Sequence, residues 1–124
     1  MLQHHKQNRG NLSVLEYKSL NFNPKRMYYI TGVPAGEIRG KHGHIQDKQY
    51  LICIKGEIEI KTIDKFSNEN TTILKEGEMF FINNMTWGEQ KYITGSEILL
   101  VLCSTNYNAD DYIYDLNEIT KNSI

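Results

Sequence analysis

Apolar residues along this chain fall into short bursts separated by turn-forming residues such as glycine, asparagine and serine. Valine, isoleucine, threonine and aromatic residues dominate the bursts, as is typical of β-strands. The bursts span residues 12–17, 27–33, 50–54, 57–63, 71–74, 79–82 and 98–103. Many short strands with little helical periodicity predict an all-β domain, either a sandwich or a small barrel.

The clearest alternation lies in residues 57–63, where Ile58 and Ile60 occupy one face and charged residues the other. This pattern predicts a half-buried antiparallel strand. The preceding Lys55-Gly56 pair suits a tight connection from the strand before it.

The two ends of the chain are more polar than its middle. Near the C-terminus, Asp110 or Asp111 is expected to cap a short helix through residues 112–121. At the N-terminus, residues 1–8 are expected to form a flexible leader or a strand that exchanges with a neighbour, and the two histidines there are expected to be exposed and mobile.

Composition supports one folded domain, residues 1–124, since 40% of the residues are hydrophobic and 23% are charged. The net charge of −1 argues against bulk electrostatic binding to nucleic acid or to acidic membranes. No apolar run approaches the ~18 residues of a membrane-spanning helix, and no signal-peptide core is present, so the cytoplasm is the expected location. Cys53 and Cys103 lie in apolar runs and are expected to be buried free thiols.

Candidate chemistry begins with His42 and His44, which are two residues apart. On a β-strand such a pair points to the same face, and in a small barrel that face can be the interior. Two imidazoles in a barrel suit metal binding or acid–base catalysis. A bare pair of this kind is also common on a solvated strand face.

The residues around this pair resemble the two motifs of the cupin family. Gln49 and Gly56 follow the histidines at the spacing of the first motif, and residues 77–88 resemble the second. Metal-binding cupins carry Glu where this chain has Gln49 and a third histidine where it has Gly88. Glu89 is expected to point to the opposite face. An amide and two imidazoles are a poor ligand set for a divalent ion, so no metal is expected.

A closer resemblance covers about residues 9–118. The segments KRMYYI, RGKHGH, STNY and DDYIYD, in this order, resemble the nucleotide-sugar 3,4-ketoisomerases, the WxcM-like cupins that act on dTDP-4-keto-6-deoxyglucose. The resemblance implies a cupin fold, which is a double-stranded β-helix or jelly-roll barrel, and no metal or organic cofactor. We also expect a short C-terminal helix and a homodimer.

The resemblance implies a reaction in which a base removes the proton at sugar C3, an enediolate forms, and a proton returns at C4. The keto group then lies at C3, ready for an aminotransferase that makes 3-amino-3,6-dideoxy sugars for surface glycans. The catalytic residues that it implies are His42 as the base, His44 as a proton shuttle or hydrogen-bond partner, and Tyr28 as a donor to the enediolate. The expected substrate-binding residues are Arg9, Arg26, Arg39, Gln49, Trp87 and Tyr112.

Some of these assignments have simpler alternatives. Trp87 could be a pocket wall or plain core, and Tyr112 could close the pocket or anchor the C-terminal segment. Gly43, Gly88 and Tyr114 depart from the residues that we associate with the family. Positions 9 and 88 belong to a variable wall, so the C4 configuration of the product stays open. A metal-dependent cupin enzyme and a non-catalytic sugar-binding cupin are the alternative functions.

Overall fold

Eleven strands make up most of residues 2–121, the part of the chain that the computed structural model describes. The strands are β1 (Leu2–Gln7), β2 (Gly10–Leu15), β3 (Arg26–Ile30), β4 (Ile38–His44), β5 (Gln49–Lys55), β6 (Glu57–Ile63), β7 (Glu69–Lys75), β8 (Met79–Ile82), β9 (Trp87–Tyr92), β10 (Ile98–Cys103) and β11 (Tyr112–Ile113). One short helix, α1 (Leu116–Thr120), follows them.

The strands form two facing sheets and a separate hairpin. One sheet has the order β3–β10–β5–β8, the other has the order β11–β4–β9–β6–β7, and β1 pairs with β2. Every pairing is antiparallel. The prediction of an all-β domain built from short strands is therefore confirmed.

The main core lies between the two sheets. Leu51 and Val101 of the four-stranded sheet belong to one buried cluster with Ile58, Ile60 and Tyr92 of the five-stranded sheet. Because side chains alternate along a strand, only one face of β6 enters this core. The predicted inward orientation of Ile58 and Ile60 is confirmed.

The four-stranded sheet is apolar on both faces. Tyr50, Ile52 and Leu102 form a second cluster on its outer face, against which Leu2 and Leu15 of the hairpin pack. A strand that is buried on both faces has apolar residues at consecutive positions instead of alternating ones. This explains the continuous apolar run from Tyr50 to Ile54 in β5. Cys53 and Cys103 are buried and free, as predicted.

The Lys55-Gly56 connection joins the two sheets rather than the strands of a hairpin, because β5 and β6 lie in different sheets. Gly56 has φ +83°, and a Cβ atom at this position would lie 2.8 Å from Cγ of Glu97. A residue without a side chain is therefore needed where the chain changes sheets.

The C-terminal helix begins later than the sequence predicted. Its N-cap is Asp115, whose Oδ1 accepts a 3.0 Å hydrogen bond from Asn117 N, so the expected cap at Asp110 or Asp111 is wrong. Asp111 instead accepts hydrogen bonds from the backbone N–H groups of Gln46 and Asp47. No helix within residues 2–121 has the length and apolarity needed to cross a membrane.

The N-terminal segment is an extended strand in register with β2. His4 is exposed, yet its Nδ1 lies 2.8 Å from Ser13 Oγ and its Nε2 donates to the carbonyl of Gly77 at 2.9 Å. These contacts hold the hairpin against the turn between β7 and β8.

Candidate active site

A cavity of about 410 Å³ opens between β3, β4, β9 and the segment around β11. Arg26 and Tyr28 line it from β3, Arg39 and His42 from β4, and Tyr112 from β11. Five of the residues expected at the site from the sequence therefore meet at one cavity.

A bulge in β4 makes this meeting possible. Arg39 and His42 are three residues apart and would point to opposite faces of a regular strand. The pairing register of β4 with β9 shifts between Gly40 and His42, and Lys41 has a left-handed φ of 59°. The bulge turns the following residues, so both Arg39 and His42 line the cavity.

His42 and His44 lie side by side, with ring centroids 5.0 Å apart and the rings at 81° to each other. Burial, together with the smaller effects of the charges of His44 and Arg39, lowers the pKa of His42 from 6.5 to about 4. Burial also lowers the pKa of His44, against the opposing effect of Asp47 and Asp111. Both imidazoles are therefore neutral at pH 7, the state in which a histidine can accept a proton.

Arg26 and Tyr28 stand next to each other on the inner face of β3. The Arg26 guanidinium lies 3.4 Å from Asp47 Oδ2 and 5.7 Å from the centre of the Tyr28 ring. Burial raises the pKa of Tyr28 above its ordinary value, so its phenol stays protonated. This edge of the cavity offers a cation and a neutral hydroxyl donor.

Tyr112 packs against both histidines, with ring centroids 5.1 Å from His42 and 4.5 Å from His44. Its ring also stacks on Tyr114 at 5.9 Å and 15°. Since Tyr112 and Tyr114 both line the cavity, Tyr112 forms a wall of the site as well as pairing β11 with β4.

Trp87 belongs to a core cluster and is not among the residues that line the cavity, which favours the plain-core alternative for this residue. It packs with Ile63, Ile113 and Ile119, and its Nε1 donates to Glu89 Oε2 at 2.9 Å. The alternation along β9 turns Trp87 and Glu89 away from the cavity and Gln90 toward it.

Gln49 lies behind His44 rather than in the cavity. It is buried, and its Nε2 donates to Asp47 Oδ2 at 3.0 Å and lies 3.4 Å from His44 Nε2. Its hydrogen-bonding contacts are with other side chains of the site. The contact of Gln49 with substrate that the sequence led us to expect stays a prediction.

Arg9 lies in the turn between β1 and β2 and is exposed. It does not line the cavity of its own chain. A hairpin that packs on the outer face of one sheet carries its turn away from the interior. Arg9 is thus separated from the other residues of the predicted set.

Position 88 stands directly opposite His42 in the pairing of β4 with β9. A Cβ atom on Gly88 would meet only Ile82 Cδ1 within 4 Å, at the ordinary contact distance of 3.4 Å, so a side chain has room to begin at this position. No group of three or more His, Cys, Asp or Glu side chains within residues 2–121 is arranged to hold a metal ion.

Gln90 is a cavity residue that the sequence reasoning missed. Its Oε1 accepts a 2.7 Å hydrogen bond from Tyr92 OH, which orients its amide NH₂ away from Tyr92. The signal was available, because Gln90 is two residues after Gly88 on one strand. Asp111 left no such signal, because it lies far from His44 in the sequence although its Oδ2 is 3.4 Å from His44 Nδ1. The contacts of Asp47 with Ser104 and Thr105 are equally distant in the sequence.

The chain matches the family model described as "FdtA: WxcM-like, C-terminal" over residues 1–123. The chain belongs to this family. It is 28% identical over 114 residues to TDP-4-oxo-6-deoxy-alpha-D-glucose-3,4-oxoisomerase of Aneurinibacillus thermoaerophilus, covering 91% of this chain and 82% of that protein.

Two solved structures extend the likeness to three dimensions. A 3,4-ketoisomerase from Helicobacter canadensis is 33% identical, with a TM-score of 0.89 over 98% of this chain and 92% of that one. QdtA, a sugar 3,4-ketoisomerase from Thermoanaerobacterium thermosaccharolyticum in complex with TDP, is 30% identical, with a TM-score of 0.90 over 98% and 90%. The cupin fold and the family expected from the sequence are both confirmed.

Proposed function

We propose that this chain is a sugar 3,4-ketoisomerase that converts dTDP-4-keto-6-deoxyglucose into a dTDP-linked 3-keto-6-deoxyhexose. The observation that carries the proposal is the neutral His42 at the wall of a cavity that also holds Arg26, Arg39 and Tyr28. Family membership supplies the reaction class, and the cavity supplies a base, hydroxyl and amide donors, and cations.

In this reaction His42 takes the proton from sugar C3. The electrons of the broken C3–H bond form the C3–C4 double bond of an enediolate, and the former C4 carbonyl oxygen takes the negative charge. Tyr28 and Gln90 donate hydrogen bonds that stabilise this charge. A proton then returns from His42 to C4, the proton of the C3 hydroxyl is transferred to the oxygen at C4, and the ketone lies at C3. The product is an isomer of the substrate, so no oxidant or reductant is consumed.

Arg26 and Arg39 are proposed to bind the diphosphate and the sugar oxygens. A guanidinium presents a fork of N–H donors that fits phosphate oxygens and stays charged at every working pH. The 3-keto product suits an aminotransferase that makes a 3-amino-3,6-dideoxy sugar. We place this chemistry in the cytoplasm, where nucleotide sugars are made.

The test is proton NMR of the chelator-treated protein in D₂O with dTDP-4-keto-6-deoxyglucose. We expect a 3-keto product with deuterium at C4, and the coupling constants at C4 then distinguish the gluco from the galacto configuration. Conversion that appears only after a divalent metal is added would favour a metal-dependent cupin. TDP binding without conversion and without exchange at C3 would favour a sugar-binding protein.

We also propose that the chain forms a homodimer. A cleft of about 740 Å³ lies between the β1–β2 hairpin and the outer face of the four-stranded sheet, and Ile52, Ile54 and Leu100 line it. Ile54 is 47% exposed although it belongs to an apolar surface. Leu12 of the hairpin is 55% exposed, so a second copy of the hairpin offers an apolar side chain to this cleft. Arg9 lies at the turn of this hairpin, and we include it as a substrate-binding residue only in the dimer.

Light scattering after size exclusion tests the dimer. The expected mass is twice the 14.4 kDa of one chain. Ile54→Glu is expected to shift the protein toward the monomer, because it places a charge in the apolar cleft. Ile93→Glu is the control, since Ile93 is similarly exposed, at 41%, and lies outside the cleft. A wild-type monomer would contradict this proposal and leave the isomerase proposal standing.

A further inference from the structure

The side chain of Asp47 is almost completely buried and is surrounded by donors. Its Oδ1 accepts from Thr105 N and Thr105 Oγ1, both at 3.0 Å, and from Ser104 Oγ at 3.3 Å. Its Oδ2 accepts from Gln49 Nε2 at 3.0 Å and lies 3.4 Å from Arg26 Nη2. A carboxylate oxygen in this position requires a donor, so the NH₂ end of the Gln49 amide, not its carbonyl, faces Asp47.

The orientation of Gln49 in turn decides the protonation of His44. The second N–H of Gln49 faces His44 Nε2 at 3.4 Å, and the weaker acceptor Cys103 Sγ lies farther away at 3.7 Å. A nitrogen that accepts a hydrogen bond carries no proton. The proton of the neutral imidazole is then on Nδ1, which lies 3.4 Å from Asp111 Oδ2. Asp111 itself is held by the backbone N–H groups of Gln46 and Asp47.

His42 has no comparable support. The buried Nδ1 atoms of both histidines make no hydrogen bond within residues 2–121. A carboxylate oxygen of Asp111 nevertheless lies 3.4 Å from Nδ1 of His44, whereas His42 is contacted by the rings of His44, Tyr112 and Tyr114. Both ring nitrogens of His44 face protein groups, whereas His42 lines the cavity. The two histidines of the pair therefore have different environments.

We propose that Asp47 and Gln49 are positioning residues that hold His44 as the Nδ1–H tautomer, with the carboxylate of Asp111 lying 3.4 Å from the nitrogen that carries the proton. His44 then supports the ring of His42 and does not act as a second base. This inference depends on the proposed isomerase function in one respect, which is that His42 is the residue that contacts the substrate. It also gives Gln49 a reason to be an amide, because a carboxylate there would accept a hydrogen bond from His44 Nε2–H and so favour the opposite tautomer.

The tautomer can be measured without substrate, by long-range ¹H–¹⁵N NMR of protein with ¹⁵N-labelled histidine. Signals of His44 are assigned by their loss in His44→Asn. We expect the wild-type His44 to be the Nδ1–H form, and Gln49→Glu to convert it to the Nε2–H form or to imidazolium. Gln46→Glu is the matched control, because it adds the same charge to the same segment at an exposed side chain, and it should leave the tautomer unchanged.

A wild-type His44 in the Nε2–H form would overturn the proposal, as would an unchanged tautomer in Gln49→Glu. Should Gln49→Glu fail to fold, Gln49→Met removes the amide at similar volume, and a persistent pure Nδ1–H form would then contradict the role of Gln49. In turnover, Gln49→Glu is expected to lower kcat about tenfold or more with a smaller change in KM. Full kcat in a variant whose tautomer has changed would equally overturn the positioning role.

Discussion

The side chain of Ile119 fills the space beside Gly43 that a larger residue would occupy. A Cβ atom on Gly43 would lie 2.5 Å from Ile119 Cδ1 and 2.8 Å from the carbonyl oxygen of Thr86. Gly43 lies between the two histidines of β4, and Ile119 is the fully buried residue of α1. The C-terminal helix therefore packs directly behind the strand that carries the candidate base.

Gly43→Ala is expected to destabilise the protein by about 1–3 kcal/mol, as overpacking in a core typically does. Urea unfolding measures the loss. Ile119→Val removes the Cδ1 methyl, so the double variant should recover part of the stability that the single Gly43→Ala variant loses. The Thr86 contact involves backbone and prevents full recovery. Purely additive effects of the two substitutions would contradict this packing.

His42→Asn is expected to fold like the wild type and to lose turnover by about 10²–10⁴-fold, the usual contribution of a general base. The measurement is single-turnover conversion of the keto sugar, with circular dichroism as the check on folding. His5→Asn is the control, since it makes the same substitution at an exposed histidine of β1. Full activity of the His42→Asn protein would show that His42 is not the general base.

The pH dependence of kcat/KM is expected to have an acidic limb well below pH 6.5. His42 accepts a proton only when neutral, and its pKa is lowered to about 4, so activity persists into mildly acidic solution and falls as pH approaches that value. Because the charge of Arg39 contributes to this lowering of the pKa, Arg39→Gln should move the limb to higher pH. Lys91→Gln removes an exposed charge on β9 and should leave the limb in place.

Stability is expected to decrease as the pH falls from about 6.5 toward 4. In this window the unfolded chain binds a proton at His42, whose ordinary pKa is 6.5, and the folded chain does not, because the folded pKa is about 4. Protons therefore favour the unfolded state. The thermal midpoint of His42→Asn should depend less on pH than that of the wild type. Equal slopes for the two proteins would show that His42 titrates normally in the folded state.

Arg26→Lys is expected to raise KM about tenfold or more with a smaller change in kcat, because lysine keeps the charge but loses the fork of donors. Steady-state kinetics with the nucleotide sugar measure this change. Lys25→Met removes the neighbouring charge at an exposed position and should leave KM unaltered. An Arg26→Lys protein with normal KM and reduced kcat would assign Arg26 to the chemical step instead.

Much of the fold follows from local pattern. The predicted bursts coincide with β2, β3, β5, β6, β7, β8 and β10, because alternation and β-branched residues report burial of one or both strand faces. Strands β1, β4, β9 and β11 were not among the predicted bursts, since they are polar or rich in glycine and are held by their neighbours. The N-cap at Asp115 was not predicted because three aspartates, Asp110, Asp111 and Asp115, lie close together in the sequence. Each of them is a suitable N-cap residue, so the sequence alone does not distinguish them.

The sequence by itself determined the class of fold, the family and the pair His42 and His44, because these depend on local spacing and on the identity and order of short segments along the chain. Only the tertiary structure decided which candidates share a cavity. It moved Trp87 into the core and Gln49 behind His44, and it brought Gln90 to the cavity and Asp111 to the back of His44. The reason is physical: a bulge at Gly40–Lys41 and contacts between loops far apart in the chain set these positions, and neither leaves a periodic pattern in sequence.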